Sequence, residues 1–129
     1  MKHLFILFCM IFCHIVDDYY LQGWLASAKQ KEWWEKNAPC KLYKNDYYMA
    51  LVMHAFSWTF MMMLVPTLLL LPDYNVKTYG CIFFANWIVH LVTDDAKANE
   101  KRINLIEDQL IHIIQIVCTW IGFYMLGVK

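Results

Sequence analysis

The chain has 129 residues, enough for one domain, and 60% of them are hydrophobic while only 17% are charged, with a mean hydropathy of +0.38. A soluble domain of this size has no core large enough to hide so much apolar surface, so the composition points to a membrane. Formal net charge is zero, which leaves no global attraction to nucleic acid.

Four apolar blocks follow in chain order, with expected spans at 3–25, 47–71, 78–95 and 105–128. The first opens with "HLFILFCMIFC" and closes in "HIVDDYYLQGW". Lys2 and the short apolar run are similar to a secretory leader, but no small-x-small cleavage site follows, so a retained span is expected. The segment 27–46, "SAKQKEWWEKNAPCKLYKND", holds five lysines and two tryptophans. It predicts a short amphipathic helix lying on the membrane surface and broken near Pro39. Trp24, Trp33, Trp34, Tyr43, Tyr47 and Tyr48 suit an interfacial belt. The lysines read as a solvated face against anionic headgroups. A tight "LPDYNVK" joins the second and third blocks, and "DDAKANEKRIN" joins the third and fourth.

Crossing about 30 Å of hydrocarbon takes about 20 helical residues. The second and fourth blocks reach that length unaided. The first and third reach it only if they carry their aspartates inside the membrane or at its boundary. The runs Met61–Met63 and Leu68–Leu71 read as lipid-facing or core residues. Cys9, Cys13, Cys40, Cys81 and Cys118 form no C-x-x-C pair. Four of the five lie in apolar blocks and read as small packing residues.

Lysine and arginine set the orientation. Lys29, Lys31, Lys36, Lys41, Lys44, Lys97, Lys101 and Arg102 fall on one side, against Lys2, Lys77 and Lys129 on the other. The positive-inside rule then puts both long loops in the cytoplasm and both termini outside. The expected fold is all-α: one domain, 1–129, forming an antiparallel four-helix transmembrane bundle.

This topology gathers histidines. His14, His54, His90 and His112 each fall near the cytoplasmic end of one span, about 10 Å deep at 1.5 Å per residue, while His3 lies at the far end. Carboxylates share the layer at helical spacing. Asp18 and Gln22 follow His14 by four and eight; Asn86 and Asp94 flank His90 by four, with Lys97 three further on; Asp108 precedes His112 by four, with Gln115 three after. Residues three and four apart share a helical face. An aspartate at the centre of a membrane helix costs on the order of 2.5–3.5 kcal/mol to insert, so buried ones mark a function.

Imidazole with carboxylate suits a divalent metal, Zn foremost with Mn or Fe as alternatives, and the number of groups allows one or two ions. The expected ligands are His14, Asp18, His54, His90, Asp94 and His112. Asp108 is expected to orient His112, bind metal or act as general base. Asp17, Gln22, Asn86 and Gln115 are expected to hold the ligands in place.

The stretches "HIVDDYYLQ", "HAFSWTF", "HLVTDDAK" and "EDQLIH" resemble the ordered motifs H-x-x-x-D-F-x-L-Q, a helix-two histidine, H-x-x-x-D-x-x-K and D-Q-x-x-H. That order is similar to a family of small four-helix membrane proteins of unknown function from phages and bacteria, the DUF3307 type. The resemblance covers nearly the whole chain and falls on His14, Asp18, Gln22, His54, His90, Asp94, Lys97, Asp108, Gln109 and His112. Tyr19 stands where members often carry Phe, and Ala50 where many carry a second histidine. The family is similar in pattern to inner-membrane metal-dependent hydrolases, which implies a place in the bacterial inner (cytoplasmic) membrane and a hydrolytic activity.

The function expected is a membrane-embedded metal-dependent hydrolase acting on a phosphorylated or lipid-linked substrate, with Asp108, Lys97 and Gln109 at the reaction and the last two holding an anionic group. Two alternatives use the same residues differently. One is a proton or divalent-metal transporter or pore built on the His/Asp cluster. The other is a phage-type membrane protein that binds a host membrane or cytoplasmic protein through the loop Trp33–Lys44. The bilayer is the expected partner, self-association is open, and no nucleic-acid partner is expected.

Overall fold

The computed structural model describes residues 2–70 and 75–126, with the side chain of Leu126 outside that description. Among the described residues every regular element is helical. Helix α1 runs Lys2–Val16 and continues as a π-helical turn over Asp17–Leu21. Two short helices follow, α2 at Leu25–Ala28 and α3 at Lys31–Asn37, then a 3₁₀ turn at Lys41–Tyr43. The remaining helices are α4 (Asp46–Leu70), α5 (Val76–Ala98) and α6 (Leu105–Leu126).

Local chemistry sets most of these boundaries. The first span was expected to reach residue 25 but stops at Leu21. Gly23 turns the chain there with φ +47°, a left-handed conformation that glycine adopts without steric cost. Helix α3 ends at Asn37 because Ala38, preceding Pro39, is pushed out of the helical region to φ −143°. Asn75 caps α5, its side chain accepting from the Lys77 amide at 2.8 Å. Asn104 and Glu107 form a reciprocal capping box on α6, with Asn104 Oδ1 accepting from the Glu107 amide at 3.0 Å and Glu107 Oε2 from the Asn104 amide at 2.8 Å. Helix α5 starts two residues before and ends three after the expected span 78–95. The expected ends at 71 and 128, and most of the turn "LPDYNVK", lie outside the described residues.

Three stretches, Lys2–Leu21, Lys41–Leu70 and Leu105–Met125, are long and apolar enough to cross a membrane. Helix α5 has 23 residues, but Lys77, Asn86, Asp94, Asp95 and Lys97 dilute its apolarity.

Helix α4 packs against α1 and α5, and α6 closes against the same two. The apolar core lies between them and is built from Ile6, Met10, Trp58, Met62, Met63, Leu70, Ile116 and Phe123. At the end far from the other histidines, Trp120 donates its indole hydrogen to the His3 carbonyl at 2.8 Å, and the His3 ring meets Tyr124 edge-on. There Thr67 of α4 also bonds the Tyr79 hydroxyl of α5.

The surface inverts the usual pattern. Phe12 is 66% exposed and Phe8 61%, while His54, His90 and His112 are fully buried. Contiguous exposed apolar surface on this scale is unusual for a protein in water. Cysteines were expected to pack inside; Cys13 does, but Cys81 and Cys118 face outward from their helices.

Candidate metal centre

The polar layer starts with the π turn. Its wider loop is closed by the Gln22 amide bonding the Asp17 carbonyl at 3.0 Å. The extra residue in the turn lets two consecutive side chains, Asp17 and Asp18, both point inward. π turns of this kind recur at functional sites. Ser57 of α4 donates to Asp17 Oδ1 at 2.7 Å. That leaves Asp17 Oδ2 3.9 Å from His54 Nδ1.

Helices α1 and α5 reach the layer near their C-terminal ends, α4 and α6 near their N-terminal ends. The donor atoms converge tightly. His54 Nε2 lies 3.1 Å from Asp94 Oδ2, 3.5 Å from Asp18 Oδ1 and 3.4 Å from His90 Nε2. Asp94 Oδ1 lies 3.3 Å from His112 Nε2 and 3.6 Å from His90 Nε2. Two groups suit an ion: Asp18, His54 and His90, and His90, Asp94 and His112.

Donors about 2.0–2.1 Å from a tetrahedral zinc would stand about 3.3 Å apart, which matches these separations. Several of these atoms also lack a protein partner. Asp18 Oδ1, His112 Nε2 and Asp108 Oδ1 are buried without a hydrogen bond. An unsatisfied buried polar atom costs about 1–3 kcal/mol; an ion in the first group would satisfy Asp18 Oδ1, and one in the second His112 Nε2. The residues therefore fit a divalent ion.

Aromatic packing fixes the rings. Trp58 stacks on His90 with centroids 4.1 Å apart, and His90 stacks on His112 at 4.3 Å. Trp58 also donates to His14 Nδ1 at 2.7 Å. His14, expected as a ligand, thus has one nitrogen engaged and lies outside both donor groups.

Two lysines grip the outer carboxylates. Lys29 Nζ bonds Asp94 Oδ2 at 2.5 Å, and Lys97 Nζ bonds Asp108 Oδ2 at 2.6 Å. Asp108 Oδ1 stays 3.4 Å from His112 Nε2. Gln109 Nε2 reaches Asp108 Oδ2 at 3.1 Å and Asp18 Oδ2 at 3.4 Å. Lys97 and Gln109, expected to hold an anionic group, are thus engaged with Asp108. Lys29, read from sequence as part of a solvated face, is instead only 13% exposed and inside the site.

The groups expected to hold the ligands divide. Asp17 sits beside His54, with Oδ2 3.9 Å from Nδ1. Gln22 bonds the carbonyl of Asp18 rather than its carboxylate. Asn86 and Gln115 bond each other instead of a histidine: Gln115 Nε2 donates to Asn86 Oδ1 at 2.9 Å, and Thr119 donates to the same oxygen at 2.9 Å.

Sequence reasoning missed Lys29, Ser57, Trp58 and Asn99. Trp58 stands four residues after His54, so helical spacing would have found it. Asn99 carries no such signal. Its side chain donates to the Lys29 carbonyl at 3.1 Å and accepts from the Lys31 amide at 2.7 Å. These bonds hold the α2–α3 junction, and with it Lys29, over the end of α5. Beside Asp94 lies a cavity of about 260 Å³, lined by Gln22, Lys29, Gln30, Asp94, Lys97 and Lys101 together with Ala26 and Ala98. The arrangement can hold a divalent ion beside a cationic recess.

Comparison with known families matches residues 6–128 to a family described as protein of unknown function (DUF3307). No curated protein and no solved structure matches the chain.

Proposed function

Because the chain belongs to the DUF3307 family, whose function is unknown, we propose its function from the site: a membrane-embedded, divalent-metal-dependent hydrolase acting on a phosphorylated or lipid-linked substrate. The four long helices form an antiparallel bundle across the bacterial inner membrane, with both termini outside. The site lies about 10–12 Å below the cytoplasmic surface, at 1.5 Å per residue from the starts of α4 and α6. What carries the reading is the set of buried donors, Asp18, His54, His90, Asp94 and His112, with separations of 3.1–3.6 Å beside a lysine-lined cavity. The inverted surface supports burial in lipid, where such a polar interior is retained only for a task.

His54, His90, His112, Asp18 and Asp94 hold the ion, zinc foremost. When bound, a divalent ion supplies Lewis-acid polarisation and acidifies water. Asp17, backed by Ser57, orients His54 through its Nδ1. Trp58 excludes water from the inner side of the layer and fixes His90. Asp108 Oδ1, without a hydrogen-bond donor of its own, takes the proton from the attacking water. Lys97 and Gln109 hold the other oxygen of Asp108.

The same cluster suits a transporter of protons or divalent ions. The apolar core of Ile6, Met10, Trp58, Met62 and Ile116 beneath the layer favours a closed site over a through path. The test is elemental analysis of the purified protein joined to a phosphate-release assay on soluble and lipid-linked phosphoesters. The expected result is stoichiometric metal, with release that His90→Ala abolishes. Metal-bearing protein that releases nothing but passes divalent ions into proteoliposomes would overturn hydrolysis in favour of transport.

A further inference from the structure

The carboxylate charge of the site exceeds what its own cations neutralise. Asp17, Asp18, Asp94 and Asp108 are all buried, and two lysines bond into the group. In a metal-bound state, where the ligating imidazoles must be neutral, four carboxylates against two lysines leave two negative charges, the charge that one divalent ion supplies. The lysines stand on the outer edge. Lys29 shares Asp94 Oδ2 with His54 Nε2, at 2.5 and 3.1 Å. Lys97 holds Asp108 Oδ2, while Asp108 Oδ1 faces His112. Both lysines, with Lys101, line the same cavity as Asp94.

A metal ion among the inner donors changes what these lysines experience. Asp94 then shares its charge with a doubly charged cation a few ångströms from the Lys29 ammonium. Like charges at that distance repel strongly where water is scarce. A lysine head on a four-carbon stem reorients easily, and the cavity is the open space next to it. Three ammonium groups around one recess, with a divalent ion at its floor, favour a multiply charged oxyanion.

We propose that Lys29 is an internal counter-ion that releases Asp94 to the divalent ion and then, with Lys97 and Lys101 on the same cavity, clamps a phosphate-type oxyanion, so that metal and oxyanion bind cooperatively. This rests on the metal reading above and adds to it an order of binding and a ligand class. Before metal arrives Lys29 is spent on Asp94 and the excess carboxylate charge disfavours an anion. After it arrives Lys29 is free to bind one. Linkage requires the effect to be reciprocal: the factor by which metal tightens the oxyanion is the factor by which the oxyanion tightens metal.

The test is titration calorimetry on the full chain in detergent, using Mn(II) and inorganic phosphate. Wild type is expected to bind phosphate at least tenfold more tightly with Mn(II) present, and to bind Mn(II) more tightly with phosphate by the same factor. Lys29→Met is expected to lose that coupling while binding Mn(II) as tightly as wild type or more so, because a competitor for Asp94 is gone. If Lys29 merely orients Asp94, the variant instead binds Mn(II) more weakly, which overturns the proposal. Equal phosphate affinity with and without Mn(II) in wild type overturns it as well and needs no variant, while leaving the metal reading intact. Absence of Mn(II) and Zn(II) binding altogether overturns the metal reading, and the coupling with it. Mixed micelles carrying phosphatidic acid separate the two sources of the oxyanion. Competition by the lipid at far lower bulk concentration than glycerol 3-phosphate assigns the cavity to a headgroup, and equal potency assigns it to a soluble phosphoester.

Discussion

Trp58 donates its indole hydrogen to Nδ1 of His14 at 2.7 Å while its ring stacks on His90 at 4.1 Å. One buried side chain therefore sets the orientation of two histidines on two other helices. The bond also places the remaining hydrogen of neutral His14 on Nε2. Trp58→Phe keeps a stacking surface and removes the donor. It is expected to destabilise the protein by about 1–3 kcal/mol, as an unsatisfied buried group does. It should also weaken metal by about 10–100-fold, as loss of a supporting group does. Thermal unfolding in detergent and a metal titration measure the two effects, and wild-type values in both would remove Trp58 from the site.

Metal should stabilise the fold by mass action. An ion that binds only the folded state adds about 2.7 kcal/mol at a hundredfold excess over its dissociation constant. Chelator is expected to lower the melting temperature, and Zn or Mn to restore it. A melting temperature indifferent to both would point to a purely hydrogen-bonded polar layer.

Positions within the layer should respond differently to substitution. His90 belongs to both donor groups, so His90→Ala is expected to abolish metal binding and activity together. His14 lies outside them, and His14→Ala should lower affinity without abolishing it. Asp108→Asn retains an acceptor and removes the charge; metal should remain, with affinity about 10–100-fold lower and activity reduced much further. His3 sits against Tyr124 at the opposite end, and His3→Ala should leave metal content unchanged. Full metal content in both His90→Ala and His54→Ala would dissolve the proposed site.

The proposed orientation can be read at Cys40, which is exposed in the segment between α3 and α4. In a variant lacking the other four cysteines, a membrane-impermeant thiol reagent should miss Cys40 in intact cells and label it after lysis. Labelling of intact cells would reverse the orientation and move the site to the outer face.

Asn99 offers a check on how Lys29 is delivered. Its side chain bonds the Lys29 carbonyl and the Lys31 amide across 70 and 68 residues of chain. Asn99→Ala should cost about 1 kcal/mol of stability, the usual net value of such bonds. It should also weaken the coupling between Mn(II) and phosphate while leaving metal content intact. Unchanged coupling in a folded variant would mean that the chain after Gly23 holds Lys29 without help.

The sequence by itself determined which histidines and aspartates share a helical face. His14 with Asp18, His90 with Asp94 and Asp108 with His112 stand four apart, and a helix turns four residues back onto one face whatever surrounds it. Trp58 obeys the same rule relative to His54 and was legible on the same ground. Tertiary structure alone decided the partners between helices. Lys29 meets Asp94 across 65 residues, because the chain turns at Gly23 and Asn99 ties the junction down; no periodicity encodes that meeting. The π turn that brings Asp17 inward beside Asp18 lies against Ser57 on another helix. Asn86 and Gln115 face inward as their spacing requires, yet they bond each other and Thr119 rather than the histidines. Spacing along one helix fixes a direction. What stands in that direction depends on the rotation and depth of its neighbours, which are set only when the helices pack.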